Sequence, residues 1–358
     1  MSRNDRIRVL VCDDSAFSRR TIVRMLEGSP LIEVVAWARD GEEALRIALE
    51  QPLDLITLDL EMPRMDGFTF LRILMARKPT PVVVISGRSA DQDVFKALDL
   101  GAVDFVAKPT PHATPELATI EQELIRKVHA VRQLRIEKVR ERIGSAALVR
   151  PVSVEGGSRP ARLVAIGSST GGPAALMQLF GAFALPPACG FIVSQHMPEG
   201  FTRGFAARLD RMTSFRAREA RDGDLVEPGL VLLAPGGFHL EFEAARGRSA
   251  ARLLRRQDRD KYAPSVNRMF VSAAKHFGHD LLAVVLTGMG DDGREGVRAV
   301  KRAGGNVIAE SEETAVIFGM PQQAIRAGAV DAVLPLPDIA PVIQSGFATG
   351  PQDAEASS

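Results

Sequence analysis

Along the first 130 residues, short apolar runs alternate with longer segments of mixed polar and apolar character. The runs are Arg8 to Cys12, Glu33 to Ala36, Leu53 to Asp59, Pro81 to Ser86 and Asp104 to Ala107. Between them, Arg19 to Glu27, Gly41 to Glu50, Gly67 to Arg77 and Asp91 to Leu100 read as helices. Five short strands alternating with helices predict a doubly wound parallel sheet whose site residues sit at the carboxyl ends of the strands. From Ile120 to about Ile143 the chain is highly charged, with Ile120, Leu124, Val128, Val131, Leu134 and Ile136 at partly helical spacing, so the last helix is expected to run on into a solvated extension. Pro151 to Pro160, containing Gly156-Gly157-Ser158, reads as a flexible joint.

A second α/β pattern follows. Strands are expected at Leu163 to Ile166, from Gly190 to His196 before the break at Pro198, at Leu281 to Thr287 and at Ala332 to Leu334, with the stretch Gly304 to Ala309 adding to the end of the domain. A hairpin pairing Leu240 to Glu243 with Ala251 to Leu254 and a helix from Met320 to Arg326 complete it. The expectation is a Rossmann-like, mostly parallel sheet. The chain therefore divides into a first domain at 1–128, a linker at 129–160, a second domain at 161–345 and a disordered tail at 346–358.

Bulk composition narrows the function classes. With 45 basic and 44 acidic residues there is no overall field to recruit nucleic acid or an anionic membrane. The basic residues between Arg126 and Arg142 are interleaved with Glu137 and Glu141 and lack aromatic companions, so a nucleic-acid arm is not expected. No apolar run reaches the roughly 18 residues of a membrane span, and Met1 to Asp5 lacks a signal-peptide core. A cytoplasmic protein with no direct membrane insertion is expected. Cys12 and Cys189 lie beside buried strands and read as core residues.

The strand ends of the first domain carry its chemistry. Asp13 and Asp14 end the first strand, Asp59 the third, Ser86 the fourth and Lys108-Pro109 the fifth. Three carboxylates at one sheet edge repel each other unless a hard divalent cation such as Mg²⁺ sits among them. Asp59 would then be a carboxylate nucleophile for phosphoryl transfer, with the Lys108 ammonium neutralising the transferred group and Ser86 donating to it. The alternative is that Asp13-Asp14-Ser15 forms a helix N-cap and Asp59 caps the next turn. Residues 7–128 resemble response-regulator receiver domains, through Asp13-Asp14-Ser15, the stretch Leu58 to Gly67, Ser86-Gly87 and Lys108-Pro109. The resemblance implies Asp59 as phosphoacceptor for a histidine kinase, Mg²⁺ held by Asp14, Asp59 and the Glu61 carbonyl with Asp13 assisting, and Phe105 as the aromatic switch residue.

In the second domain, Gly167-Ser168-Ser169-Thr170-Gly171-Gly172 lies between a strand and a helix opened by Pro173. Such a turn holds Ser169 above the sheet edge and aims helix N-terminal N–H groups at the same space. A phosphate-cradling turn in a non-enzymatic binding module is the competing reading. If the strand before this turn, the one ending in His196 and the one ending at Thr287 lie in one parallel sheet, Ser169, His196 and Asp292 share an edge, and hydroxyl, imidazole and carboxylate suffice for acyl transfer. His239 is a rival base, and Asp222 or Asp224 a rival carboxylate.

Residues 161–345 resemble the catalytic domain of the chemotaxis methylesterases. The matching stretches are Gly167 to Gly172, Ser194 to Pro198, Ala234 to His239, Tyr262 to Asn267, Leu286 to Gly293 and Phe318 to Pro321. The resemblance implies Ser169, His196 and Asp292 as the triad, with backbone amides of Thr170 and Met289 at the oxyanion and no cofactor at this site. It implies hydrolysis of glutamyl methyl esters on methyl-accepting chemoreceptors, with deamidation of receptor glutamines by the same route. Ser168 stands where the family often has Ala, and Asn267 where Asp is common.

Overall fold

The computed structural model describes residues 6–87, 91–109, 114–134, 136–139, 163–245 and 248–345, and the chain forms two compact units, Met1–Ser145 and Ala146–Ser358. The joint expected at 151–160 and the tail expected at 346–358 lie outside the described residues.

In the first unit, β1 (Ile7–Cys12), β2 (Ile32–Ala38), β3 (Leu55–Asp59), β4 (Val82–Ser86) and β5 (Asp104–Ala107) form a sheet in the order β2-β1-β3-β4-β5. Every pairing is parallel. β3, β4 and β5 are buried at every position, which is why they are largely apolar and do not alternate, their polar residues being Thr57, Asp59, Ser86 and Asp104. Helices α1 (Ala16–Glu27), α2 (Gly41–Glu50), α3 (Gly67–Arg77), α4 (Asp91–Asp99) and α5 (Thr114–Ala130) connect the strands and follow the last one. Ser15, Asp40 and Asp66 cap α1, α2 and α3, each accepting from the amide three residues on. Asp66, and not Asp59, therefore begins the helix after β3.

The last helix of the first unit does not run on unbroken: residues 136–139 are helical again only after an interruption, and 140–162 lie outside the described residues. α5 ends at Ala130, a single 3-10 turn covers Val131–Gln133, and Leu134 takes an extended backbone (φ −83°, ψ 136°) that no continuous helix accommodates.

The second unit is a seven-stranded parallel sheet with a separate hairpin. Its strands are β6 (Leu163–Ser168), β7 (Gly190–Gln195), β8 (Arg216–Glu219), β9 (Leu230–Leu233), β12 (Leu281–Val285), β13 (Asn306–Glu310) and β14 (Ala332–Leu334), in the order β14-β13-β12-β6-β7-β9-β8. The hairpin, β10 (Phe238–Ala245) with β11 (Arg248–Arg255), is antiparallel and pairs His239 with Leu254. Helices α6 (Gly172–Gly181), α7 (Phe201–Met212), α8 (Val266–Phe277), α9 (Arg294–Arg302), α10 (Met320–Arg326) and α11 (Leu336–Ser345) complete it. α11 lies beyond the last expected helix and carries Pro341 in its interior, a residue that argues against a helix from sequence.

In both sheets the chain starts centrally and winds outward in two directions. The direction reverses between β1 and β3 in the first unit, and between β6 and β12 in the second. At such a reversal the loops leaving adjacent strands diverge and open a crevice at the carboxyl ends. Asp13, Asp14 and Asp59 flank one crevice; Ser169 and the loop Thr287 to Asp292 flank the other.

Candidate active site

Ser169 follows β6 in a turn fixed from three sides. Its N–H donates to Thr287 O (3.0 Å), while its carbonyl accepts from Gly172 N (2.8 Å) and Gln195 Nε2 (2.9 Å). Gln195 Oε1 also accepts from Ser168 Oγ (2.7 Å). The Ser168 hydroxyl is thus a buried structural group, and Ser169 is the serine left at the edge. Gly171 has φ +76°, a left-handed conformation that L side chains resist, and it lets the chain turn into α6. Gly288 packs on the serine itself: a Cβ there would lie 2.8 Å from Ser169 Cβ.

His196 and Asp292 meet. The imidazole Nε2 lies 2.8 Å from Asp292 Oδ2, with both residues buried. Nδ1 is buried and has no hydrogen-bond partner among the described residues. Among those residues no hydrogen bond joins the Ser169 hydroxyl to the imidazole. The two are brought to neighbouring strand ends by the β6–β7 register, Ser168 opposite Gln195, and by His196 N–H donating to Ser168 O (3.0 Å).

Asp292 does not cap α9, which it precedes. Its carboxylate sits at the N-terminus of α8 instead, accepting from Val266 N (2.8 Å), Asn267 N (2.8 Å) and Ser265 Oγ (3.0 Å). Burial pushes its pKa up, but His196 and these amides outweigh burial and hold it below the usual carboxylate range. Asn267, in turn, accepts from Gly296 N (2.7 Å) through its side chain, so α8 and α9 are tied together behind the carboxylate.

The Thr170 carbonyl accepts from Thr287 Oγ1 (3.0 Å), and Gly288, next to Met289, is held by Met320 N donating to its carbonyl (2.7 Å). Both segments expected at the oxyanion are therefore anchored, one behind β6 and one behind β12. Thr287 N donates to the buried Glu310 Oε2 (2.7 Å) at the end of β13. Sequence reasoning singled out neither Glu310 nor Gln195 as a support; each works through contacts that only the sheet order creates.

The rivals go elsewhere. His239 Nε2 lies 3.0 Å from Asp260 Oδ2 in a buried position on the hairpin, and Asp224 pairs with Arg218. Asp222 accepts from Leu253 N (2.6 Å).

In the first unit, carboxylate oxygens of Asp13, Asp14 and Asp59 lie within 4.8 Å of one another. Lys108 Nζ is 2.5 Å from Asp59 Oδ2 and 3.4 Å from Asp13 Oδ2. Asp13 also accepts from Ser18 Oγ (2.6 Å) and Ser15 N (2.9 Å), so its contact with the α1 N-terminus coexists with its place in the cluster. Burial, reinforced by Asp13, raises the Asp59 pKa against the pull of Lys108. Burial works against the Lys108 charge, yet Asp59 and Asp13 raise its pKa overall. Three hard oxygen donors gathered at one sheet edge fit Mg²⁺. The Glu61 amide donates to Asp59 Oδ1 (3.3 Å). Ser86 ends β4 buried, and Lys108 N donates to its carbonyl (2.8 Å). Phe105 is buried against Phe95 (centroids 6.4 Å apart), with Lys127 Nζ 5.2 Å from its ring centroid.

A carboxylate cluster at one switch point and a serine, histidine and aspartate at the carboxyl edge of a second parallel sheet define the class: a response regulator whose output unit is a doubly wound α/β domain. Residues 164–343 match the family model described as CheB methylesterase, and residues 9–119 match that of the response regulator receiver domain. The chain belongs to the CheB methylesterase family and carries a receiver domain ahead of the family's catalytic domain. It is 51% identical to protein-glutamate methylesterase/protein-glutamine glutaminase 3 of Geobacter sulfurreducens, over 92% of this chain and 95% of that one. It is 50% identical to protein-glutamate methylesterase/protein-glutamine glutaminase 1 of Myxococcus xanthus, over 96% of this chain and 98% of that one. The crystal structure of the Thermotoga maritima CheB methylesterase catalytic domain, 41% identical, covers 52% of this chain and 99% of its own, with a TM-score of 0.49.

Proposed function

We propose that this chain is a phosphorylation-controlled protein-glutamate methylesterase and protein-glutamine glutaminase in which Ser169, His196 and Asp292 carry out the acyl chemistry. The observation that carries this reading is the buried His196–Asp292 pair, which leaves Nδ1 as the ring nitrogen available to a hydroxyl. Ser169 Oγ attacks the γ-carbonyl carbon of a methylated glutamate while His196 Nδ1 takes its proton. The oxyanion is held by the Thr170 and Met289 amides. As the tetrahedral intermediate collapses, the imidazolium returns the proton to the departing oxygen and methanol leaves. Water, deprotonated at the same nitrogen, then attacks the acyl-enzyme and frees glutamate and Ser169. For a glutamine the leaving group is ammonia. Asp292 remains ionised throughout and stabilises the imidazolium, as its lowered pKa favours.

The substrates are methyl-accepting chemoreceptors, presented as cytoplasmic helices, and a histidine kinase supplies phosphate to Asp59 in the cytoplasm. Asp14, Asp59 and the Glu61 carbonyl, with Asp13 behind them, would hold Mg²⁺, which supplies charge neutralisation during phosphoryl transfer. Lys108 neutralises the same oxygens, Ser86 donates to the phosphoryl group, and Phe105 is the aromatic residue that responds. In methylated receptor membranes treated with a small-molecule phosphodonor, Ser169→Ala should lower methanol release by about 10³-fold or more. Undiminished release refutes the assignment.

A further inference from the structure

We propose that Tyr262 is a positioning residue that holds the His196 ring by stacking on its face. The inference rests on the Ser169, His196 and Asp292 reading and deepens it. The rings lie 4.5 Å apart at an interplanar angle of 7°. A single hydrogen bond, from Nε2 to Asp292, fixes one edge of an imidazole but leaves the ring able to swing about its own side-chain torsions. A face contact removes that freedom. Together the two contacts leave the ring one orientation, with Nδ1 as its unpartnered nitrogen.

The tyrosine is held in place from both directions along the chain. Two residues before it, Asp260 Oδ2 is gripped by His239 Nε2 (3.0 Å) and Gln257 N (2.8 Å). Next to it, Lys261 Nζ pairs with Asp291 (3.0 Å), the neighbour of Asp292, and lies 4.9 Å from the Tyr262 ring centroid. Three residues after it, Ser265 begins the run of donors bound to Asp292. Gly290 leaves room for the phenol, since a Cβ there would sit 2.5 Å from Tyr262 Oη. One short segment thus delivers both the amides that hold the carboxylate and the ring that holds the imidazole. The buried His239, a rival base from sequence, is on this account an anchor of that segment.

The electronic side of the contact agrees with the chemistry. An aromatic face attracts a cation, so the stack favours the imidazolium formed as the ester is attacked over the neutral ring. Its effect belongs to kcat more than to KM, because Tyr262 acts through His196.

The test compares full-length Tyr262→Phe, Tyr262→Leu and Tyr262→Ala on methylated receptor membranes with phosphodonor. Phe keeps the stack; Leu keeps bulk without a π face. The expected result is near-unchanged kcat for Phe, a loss of about three- to tenfold for Leu and Ala, and KM within about twofold for all three. Leu and Ala as active as the unsubstituted protein would overturn the proposal, as would a Phe variant as impaired as Leu. His196→Gln, run alongside, separates the two failures. If it retains activity, the triad reading has failed; if it is inactive while Leu and Ala are not, only the role of Tyr262 falls.

Discussion

Asp292→Asn changes one buried atom and should uncouple stability from catalysis in a way that can be calculated from the contacts. The carboxylate accepts from four donors, His196 Nε2 and Val266 N on Oδ2, and Ser265 Oγ and Asn267 N on Oδ1. An asparagine that keeps its oxygen toward Ser265 and Asn267 turns an NH₂ toward the other two. Facing the Val266 N–H it meets a second donor, and a hydrogen bond to a charged acceptor, worth about 1.5–3 kcal/mol, is lost. The anion at the N-terminus of α8 goes as well, at about 0.3–2 kcal/mol. Facing Nε2, the NH₂ can donate only if that nitrogen gives up its proton. The proton then sits on Nδ1, the atom needed as base.

The expected outcome is a destabilisation of the second unit by about 2–5 kcal/mol, roughly 1–2 M in urea midpoint, and a loss of turnover of about 10³–10⁴-fold from the reversed tautomer. The chain contains one Trp and one Tyr, Trp37 in the first unit and Tyr262 in the second, so their fluorescence follows the two unfolding transitions separately. Only the Tyr262 transition should move. The pH dependence fixes the sign. Asp292 has a lowered folded-state pKa, so its stabilisation is fully present above the ordinary carboxylate value of about 4 and is lost as pH falls through the lower folded value. The gap between the unsubstituted protein and the variant should therefore stay constant from neutral pH down to about 4 and close only below it. A gap that closes near pH 6, or a variant that keeps its turnover, would refute the reasoning.

Three other outcomes follow from the same contacts. Ser168→Ala should cost about 1–2 kcal/mol in the Tyr262 transition, because Gln195 Oε1 loses a buried donor, yet leave methanol release within a few-fold, whereas an inactive Ser168 variant would mean the wrong serine has been assigned. Asp59→Asn should abolish stimulation by phosphodonor and weaken Mg²⁺ binding by at least about tenfold in calorimetric titration. Its raised pKa means that, in the metal-free first unit, the stabilisation from a protonated Asp59 is fully present below the ordinary carboxylate value of about 4 and is lost as pH rises through the raised folded value, so the variant's Trp37 transition at neutral pH should move to higher urea, and a move to lower urea would contradict the charge argument. Burial pushes the Cys189 thiol up to about 12 and raises Cys12 further, so alkylation should be slow in buffer and rapid in denaturant; rapid native labelling of either would show that it is not core.

The residues legible from sequence are those whose place depends on the end of a strand. Asp13, Asp14, Asp59, Ser169 and His196 each follow or close an apolar run, and parallel pairing alone carries them to a common edge. What stayed hidden depends on neighbours chosen by sheet order. Nothing local about Gln195 says that it clamps both Ser168 and the Ser169 carbonyl, or about Glu310 that it lies under Thr287. Tyr262 stood inside a matching stretch, but its role becomes visible only when the hairpin and α8 bring it onto His196. The fold had the same blind spots. β8 spells Arg-Ala-Arg-Glu at the sheet's margin and lacks the apolar run that marked the central strands, and α5 stops at a backbone change that its apolar spacing does not record.

Asp59 and Asp292 show why neither residue type nor burial alone assigns a role. Both are buried aspartates at the carboxyl edge of a parallel sheet, beside the switch point, and each contacts a group that can be cationic. Their pKa values move in opposite directions. Asp292 is ringed by four donors that use its lone pairs and keep it ionised, so it orients an imidazole and has no free oxygen for bonding to anything else. Among the described residues Asp59 receives one long amide contact and Lys108, and it sits beside a second carboxylate; burial, with Asp13, raises its pKa. An oxygen with lone pairs to spare, next to a place for Mg²⁺, is suited to attack phosphorus; an oxygen saturated with donors is suited to hold another residue still. On the roles proposed above, the count of donors around each carboxylate is what distinguishes the phosphoacceptor from the residue that orients the imidazole.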